Sequence, residues 1–217
     1  MVKWSFSGLK DFTNCPRQYH EVKILQNFTK TVTSQMLYGT EVHKALEEYA
    51  RDGKELPAFY KMYKPSVDVL LEIPGTRYLE HKMALKGDKT TPCEFDAVDY
   101  WVRGIVDFMV IDGDTAFIVD YKTGSKKYPD PKQLKLMALM TFAHFPEVQS
   151  IKAALMFLVH EGFVEETYSR KDIVSLWGAF NTDLHRLEHS YKHNVWPATP
   201  TPLCKWCPVR ACEFNGD

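Results

Sequence analysis

Little net charge is available to this chain: 27 lysines and arginines stand against 28 aspartates and glutamates, leaving a formal charge of −1. Bulk electrostatics therefore give no ground for binding a polyanion, and any such contact must come from local patches. No apolar run reaches the roughly 18 residues that a membrane span needs, and the opening MVKWSFSGLK is not a signal peptide. The expectation is a soluble, cytoplasmic protein. Internal repeats and low-complexity tracts are missing. Cysteine is scarce and odd in number, five in all, which argues against a disulfide framework. What remains is ordinary globular material: 217 residues, 45% hydrophobic, enough for one large domain or a core with appendages.

The most informative stretch is RGIVDFMVIDGDTAFIVDYKTG, Arg103 to Gly124. It reads as two apolar strands joined at Gly113-Asp114, a good two-residue hairpin loop. That loop sets Asp112 against Thr115, Ile111 against Ala116 and Asp107 against Asp120. Two carboxylates then stand about 4.5–5.5 Å apart at Cβ on one sheet face. Like charges opposed in apolar strands are destabilising unless one takes a proton or a cation sits between them. Hard oxygen ligands in this arrangement suit Mg²⁺ or Mn²⁺. Lys122, two residues past Asp120, shares its face. Two metal-holding carboxylates with a lysine alongside suit hydrolysis of a phosphodiester.

The cysteines make the second signal. Cys204, Cys207 and Cys212 follow a C-x2-C-x4-C pattern in a proline-rich tail, and Cys15 can supply a fourth ligand from far away in sequence. An iron–sulfur cluster, a Cys₄ zinc site and free buried thiols all remain open on spacing alone. Any of the metal options would tie the tail to the N-terminal helix. Cys93 reads as a free thiol in a loop.

Elsewhere, residues 5–13 read as a serine-capped helix with Phe6, Leu9 and Phe12 on one face. Residues 39–52 read as a helix closed by Gly53, with Val42, Ala45, Leu46 and Tyr49 as its stripe and His43 at the border. A helical 57–71, a strand over 77–86 carrying Glu80, and a loop GDKTTPCEFD lead to the hairpin, whose first strand is taken from Val98. Asp130-Pro131 opens a helix to Phe145, with Gln133 in its first turns and Leu134, Met137, Ala138 and Thr141 on one stripe. Strands follow at 151–159 and 163–168. An amphipathic helix over 171–192 packs Ile173, Leu176, Trp177, Phe180, Leu184, Leu187 and Tyr191. This order gives a mixed α/β domain. Lys126, Lys127, Lys132 and Lys135 form either a phosphate-gripping rim or a solvated face. Trp206 is expected to pack on the tail, with base stacking as the other option.

These residues resemble the PD-(D/E)xK nuclease superfamily, in particular its RecB-type exonuclease branch. The likeness runs over GTEVH with His43, YLEHKMAL with Glu80, RGIVD with Asp107, DYKTG with Asp120 and Lys122, and Gln133 opening the next helix. It implies a restriction-endonuclease-like core with a mixed central sheet flanked by helices. It implies His43, Asp107 and Asp120 as Mg²⁺ or Mn²⁺ ligands near the Val119–Tyr121 backbone, Lys122 as the catalytic lysine, and Glu80 as an outer ligand or water-orienting group. Gln133 belongs to a helix motif written QxxxY, and here Met137 stands at the tyrosine position. The closest subgroup is the iron–sulfur RecB-like nucleases, which include AddB-type domains, CRISPR-associated exonucleases of spacer acquisition and phage relatives. They resemble this chain in one N-terminal and three C-terminal cysteines, here Cys15, Cys204, Cys207 and Cys212, and imply a 4Fe–4S cluster. The implied organisation is a single nuclease domain over 1–217, with a core at about 36–170 and a cluster-binding part from about 5–25 and 171–217. The implied activity is metal-dependent exonucleolytic cleavage of DNA at single strands or resected ends, in recombination, repair, phage DNA metabolism or CRISPR adaptation with protein partners. A structure-selective endonuclease on the same core, and a non-catalytic module holding DNA ends, are the alternatives.

Overall fold

The computed structural model describes residues 1–125 and 129–216. In chain order, α1 (Phe6–Asn14) and α2 (Pro16–Tyr19) precede α3 (Ser34–Asp52) and α4 (Lys64–Leu71). Next come β1 (Thr76–Leu85), β2 (Pro92–Cys93), β3 (Val102–Asp112) and β4 (Thr115–Lys122), then α5 (Lys132–His144), β5 (Ser150–Phe157), β6 (Gly162–Ser169) and α6 (Ile173–His193). Two compact units result, Thr33–Trp177 and Met1–Val32 together with the segment from Gly178 onward.

In the Thr33–Trp177 unit the strands form one mixed sheet in the order β2-β1-β3-β4-β5-β6. All neighbours are antiparallel except β4 and β5. A parallel pair needs a long crossover, and α5 provides it. The hairpin closes as the sequence predicts, with Asp112 opposite Thr115 and Gly113 in the left-handed region at φ 58°. One sheet face packs Phe108, Val110, Val119 and Tyr121 against Val42 and Leu46 of α3 and Val67 and Leu70 of α4. Each fully buried side chain of this size contributes about 1.5–3 kcal/mol.

Several boundaries differ from expectation. Helix α3 starts five residues earlier than the stripe suggested, because the Thr33 hydroxyl caps Met36 N–H. Strand β3 begins at Val102 rather than Val98, which is 90% exposed. Cys93 is not in a loop but pairs with Ala84 at the sheet edge. Helix α5 is buried on every side, Leu136, Leu139, Met140 and Phe142 as well as the expected stripe. Its amphipathic signal was weak for that reason. Lys126 and Lys127 lie outside the described residues, and Lys132 and Lys135 are half-buried rather than an exposed rim.

Gly75, just before β1, has φ 123°, and a Cβ there would lie 2.3 Å from the Ile111 carbonyl oxygen. Gly75→Ala is therefore expected to cost about 2 kcal/mol, seen as a fall of about 4–8 °C in the melting temperature.

In the other unit, Ser5 caps α1 by accepting from Gly8 N–H at 3.2 Å, and Leu9 and Phe12 are buried. The tail is anchored by a residue that sequence reading passed over. Trp196 stacks on His20 with ring centroids 4.5 Å apart and meets Tyr19, Tyr191 and Phe12. Arg17 pairs with Glu213, and Arg17 N–H donates to the Pro197 carbonyl at 3.2 Å. Trp206, expected to pack on the tail, is instead 65% exposed, with Lys205 Nζ 4.0 Å from its ring centroid.

Candidate metal centre and cysteine site

The row of residues at which β1, β3 and β4 would bring Glu80, Asp107 and Asp120 into line is where the sheet breaks. Pairing between β1 and β3 runs on both sides of Glu80 but skips it, and pairing between β3 and β4 stops at Phe108 and Val119. Glu80 has φ 47°, a left-handed conformation that costs about 1–3 kcal/mol in a non-glycine residue. The kink has a visible consequence. Tyr78 and His81, three residues apart, both touch the Phe145 ring, although strict alternation would set them on opposite faces. Strand β3 switches in the same way. Gly104 faces Met140 and Met109 reaches Thr141, both on α5, across an odd spacing.

The switch frees Asp107 to act as more than a sheet residue. Its Oδ2 accepts the Tyr121 backbone N–H at 2.7 Å, in place of a ladder bond, and lies 3.3 Å from His43 Nδ1. His43 is presented by α3, whose Val42 and Leu46 are fully buried and set the rotation of the helix. Donor atoms of His43, Glu80 and Asp107 lie within 4.8 Å of one another, the one such group of three or more among the described residues.

Asp120 stands outside that group, although the sequence set it directly opposite Asp107. It is 3% exposed, and Oδ1 accepts from Gln133 Nε2 at 2.5 Å. Gln133 Oε1 accepts from Lys122 Nζ at 2.8 Å, and Lys122 pairs with Asp120 Oδ2. The three side chains form a closed triangle between β4 and the start of α5.

The charges are unbalanced towards acid. Burial, then the charges of Asp107 and Glu47, push Glu80 up to about 7. Burial and Asp107 also push Asp120 up, against the pull of Lys122 and His43. Burial draws His43 down, but contact with Asp107 and the charges of Asp107, Asp120 and Glu80 outweigh it, so the imidazole holds its proton more tightly than usual. A mixed set of imidazole nitrogen and carboxylate oxygens with surplus negative charge fits a divalent cation.

A pH dependence follows for the metal-free protein. Glu80 titrates near 7 when folded and near its ordinary 4.5 when unfolded. Between those values the folded state holds more protons, so stability falls as pH rises. The shift of His43 has the same sign. Thermal melts in EDTA should decline from about pH 5 to about pH 8, and Glu80→Gln should flatten the decline. An unchanged slope in that variant would refute the assignment.

The cysteines gather in the other unit. Cys15, Cys204, Cys207 and Cys212 line one cavity. Cys15 caps α2, accepting from Gln18 N–H at 3.5 Å, and also accepts from Thr199 N–H at 3.5 Å. Thr201 N–H donates to Cys204 Sγ at 3.3 Å. Burial pushes the Cys207 thiol up, with the other three cysteines adding to it. No three of the sulfurs lie within 4.8 Å of one another.

A family model described as the PD-(D/E)XK nuclease superfamily matches residues 3–212. No curated protein matches the chain. Among solved structures, the chain is similar to a candidate exonuclease from Eubacterium rectale, with a TM-score of 0.57, 15% identity, and coverage of 99% of this chain and 88% of that one. A second similar structure is SSO0001, with a TM-score of 0.44, 14% identity, and coverage of 100% and 88%.

Proposed function

Because the chain belongs to the PD-(D/E)XK nuclease superfamily, we propose that it is a metal-dependent DNA exonuclease acting on single-stranded or resected ends. Its mixed six-stranded sheet flanked by helices is the restriction-endonuclease-like core of that superfamily. No described helix is long and apolar enough to cross a membrane. The observation that carries the proposal is the meeting of His43, Glu80 and Asp107 beside a lysine fixed by two partners.

His43, Glu80 and Asp107 would hold Mg²⁺ or Mn²⁺, with Asp120 as the adjacent carboxylate. Bound there, the cation supplies Lewis acidity that lowers the pKa of water and offsets phosphate charge. Lys122 carries three N–H donors. Asp120 and Gln133 orient two, and the third serves the reacting water or a phosphate oxygen. Gln133 acts as a positioning residue, fixing both the lysine and Asp120. Met137, at the place of the motif's tyrosine, is buried and contributes packing.

The Met1–Val32 and Gly178–Asp217 segments are the cluster-bearing part of the same nuclease domain. Four sulfurs around one cavity, no three of them within 4.8 Å of one another, support an iron–sulfur cluster. A tetrahedral site with Zn–S of about 2.3 Å needs sulfurs about 3.8 Å apart. A 4Fe–4S cluster is larger and is held by four thiolates. The setting is DNA-end processing in recombination, repair, phage DNA metabolism or CRISPR adaptation.

The test is digestion of end-labelled linear DNA and of circular single-stranded DNA with Mn²⁺ or Mg²⁺. Linear DNA should be consumed and the circle spared. Gln133→Ala should cost about tenfold in rate, as loss of an orienting partner does, and much less in a Lys122→Ala background, since the two act together. Undiminished cleavage by Lys122→Ala protein would sink the proposal.

A further inference from the structure

A groove of about 840 Å³ opens beside His43 and Glu80 and runs along the first turns of α3. Its wall is unusual for a surface helix. Met36, which lines it, is 46% exposed, although the outer face of such a helix is normally polar. Tyr38 lines the same groove and is rigidly held: its hydroxyl meets that of Tyr63 at 2.6 Å, and its ring stands edge-on to Tyr60 at 5.8 Å. Tyr60 is itself tied to Glu41 at 2.9 Å. Gly39 lets α3 come close to the end of β4, since a Cβ there would lie 3.1 Å from Thr123 Oγ1. Among the described residues that line it, the exposed ammonium is that of Lys44, and the carboxylate of Glu47 is paired with Arg51 at 2.6 Å.

We infer that this groove is a nucleobase channel and that Tyr38 and Met36 restrict the site to unpaired strands. The inference rests on the nuclease reading, narrows its substrate to unpaired strands and names the residues that select them. A held aromatic ring and a polarizable thioether offer flat, apolar contact to a base face. In a duplex those faces are covered by neighbouring pairs, so only a single strand can present them. The groove takes bases along its wall while the carboxylate end receives the phosphodiester. Its volume is of the size that holds a ligand of a few rings.

Two measurements separate this inference from the one beneath it. Affinity for a fluorescein-labelled oligothymidylate, read by anisotropy with Ca²⁺ in place of Mn²⁺, reports the groove. Hydrolysis of an end-labelled abasic oligomer, a tetrahydrofuran-phosphate chain, with Mn²⁺ reports the metal centre, since that diester carries no base and no other flat ring. Met36→Ala should weaken oligothymidylate binding by about tenfold, the loss of one stacked contact, and leave the abasic-oligomer rate unchanged. Tyr38→Leu should do the same, whereas Tyr38→Phe, which keeps the ring, should bind as the parent does. Wild-type protein should bind a blunt duplex at least tenfold more weakly than the single strand. Unchanged oligothymidylate affinity in both Met36→Ala and Tyr38→Leu, or equal binding of duplex, overturns the channel. Intact binding without hydrolysis of the abasic oligomer with any divalent ion leaves the channel standing and overturns the nuclease reading instead.

Discussion

Asp107→Asn should lower DNA cleavage by about a thousandfold and, at the same time, raise the melting temperature of the metal-free protein at pH 8. The two signs come from one group. Asparagine keeps the oxygen that accepts the Tyr121 N–H, so the local backbone is preserved. It loses the charge that sits in the His43, Glu80 and Asp107 donor group. Metal-borne charge stabilisation is worth several kcal/mol, and each 1.36 kcal/mol is a factor of ten in rate, which sets the thousandfold scale. Without its cation, however, the wild-type site is a cluster of repelling carboxylates. Asp107 is the leading charge that raises both Glu80 and Asp120. Its removal lets both ionise at less cost in the folded state. Activity measured with saturating Mn²⁺ and melts in EDTA check the pair of effects. A site kept for stability would give the opposite result, with melting temperature and activity falling together.

Which parts of this site could be read from the residues follows from the range of the interactions involved. The hairpin was legible because its determinants are local: Gly113 for the turn, apolar strands on either side, and a register that the pairs from Phe108–Val119 to Asp112–Thr115 obey. Lys122 sharing a face with Asp120 was legible for the same reason. The fate of the facing acids was not. Continuous pairing would set Asp107 against Asp120, but β3 and β4 part at that row, and Asp107 turns to His43 while Asp120 turns to Gln133. The same row breaks on a third strand, at the left-handed Glu80, and no local pattern announces a positive φ at a glutamate. Glu80 therefore joins the donor group more intimately than its place in an ambiguous strand suggested. The first turns of α3 were missed because Met36 and Leu37 break the helical stripe. A helix boundary drawn on periodicity will omit apolar residues that face outward, and those are the ones a binding groove would use. Trp196 was invisible in the same sense, a lone aromatic in a proline-rich tail whose partners His20 and Tyr191 come from distant segments.

Cys15→Ser and Cys212→Ser should each abolish the visible-blue absorption of anaerobically purified protein and lower its melting temperature by about 10 °C or more. The two cysteines lie at opposite ends of the chain, so a shared effect is the signature of a shared ligand. The size of the effect comes from the unfolded state. A cluster held by Cys15 and Cys204 closes a loop of nearly the whole sequence, and a cross-link over so long a loop is worth about 4–5 kcal/mol on the chain-entropy estimate, or roughly 10 °C for a chain of this length. Folded-state contacts are too thin to replace it. The tail between residues 194 and 216 has one short turn of helix, Cys204–Trp206, and rests on Trp196, the Arg17–Glu213 pair and Val209. Loss of the cluster should accordingly open that tail to proteases. Cys93→Ser is the control, since Cys93 pairs with Ala84 on a sheet edge of the other unit, and it should leave colour and melting unchanged. Iron analysis decides the metal: iron with colour in the wild type and Cys93→Ser, and neither in Cys15→Ser, is expected. Colourless protein carrying one zinc would replace the cluster with a Cys₄ site, and full colour in Cys15→Ser would remove Cys15 from the ligand set.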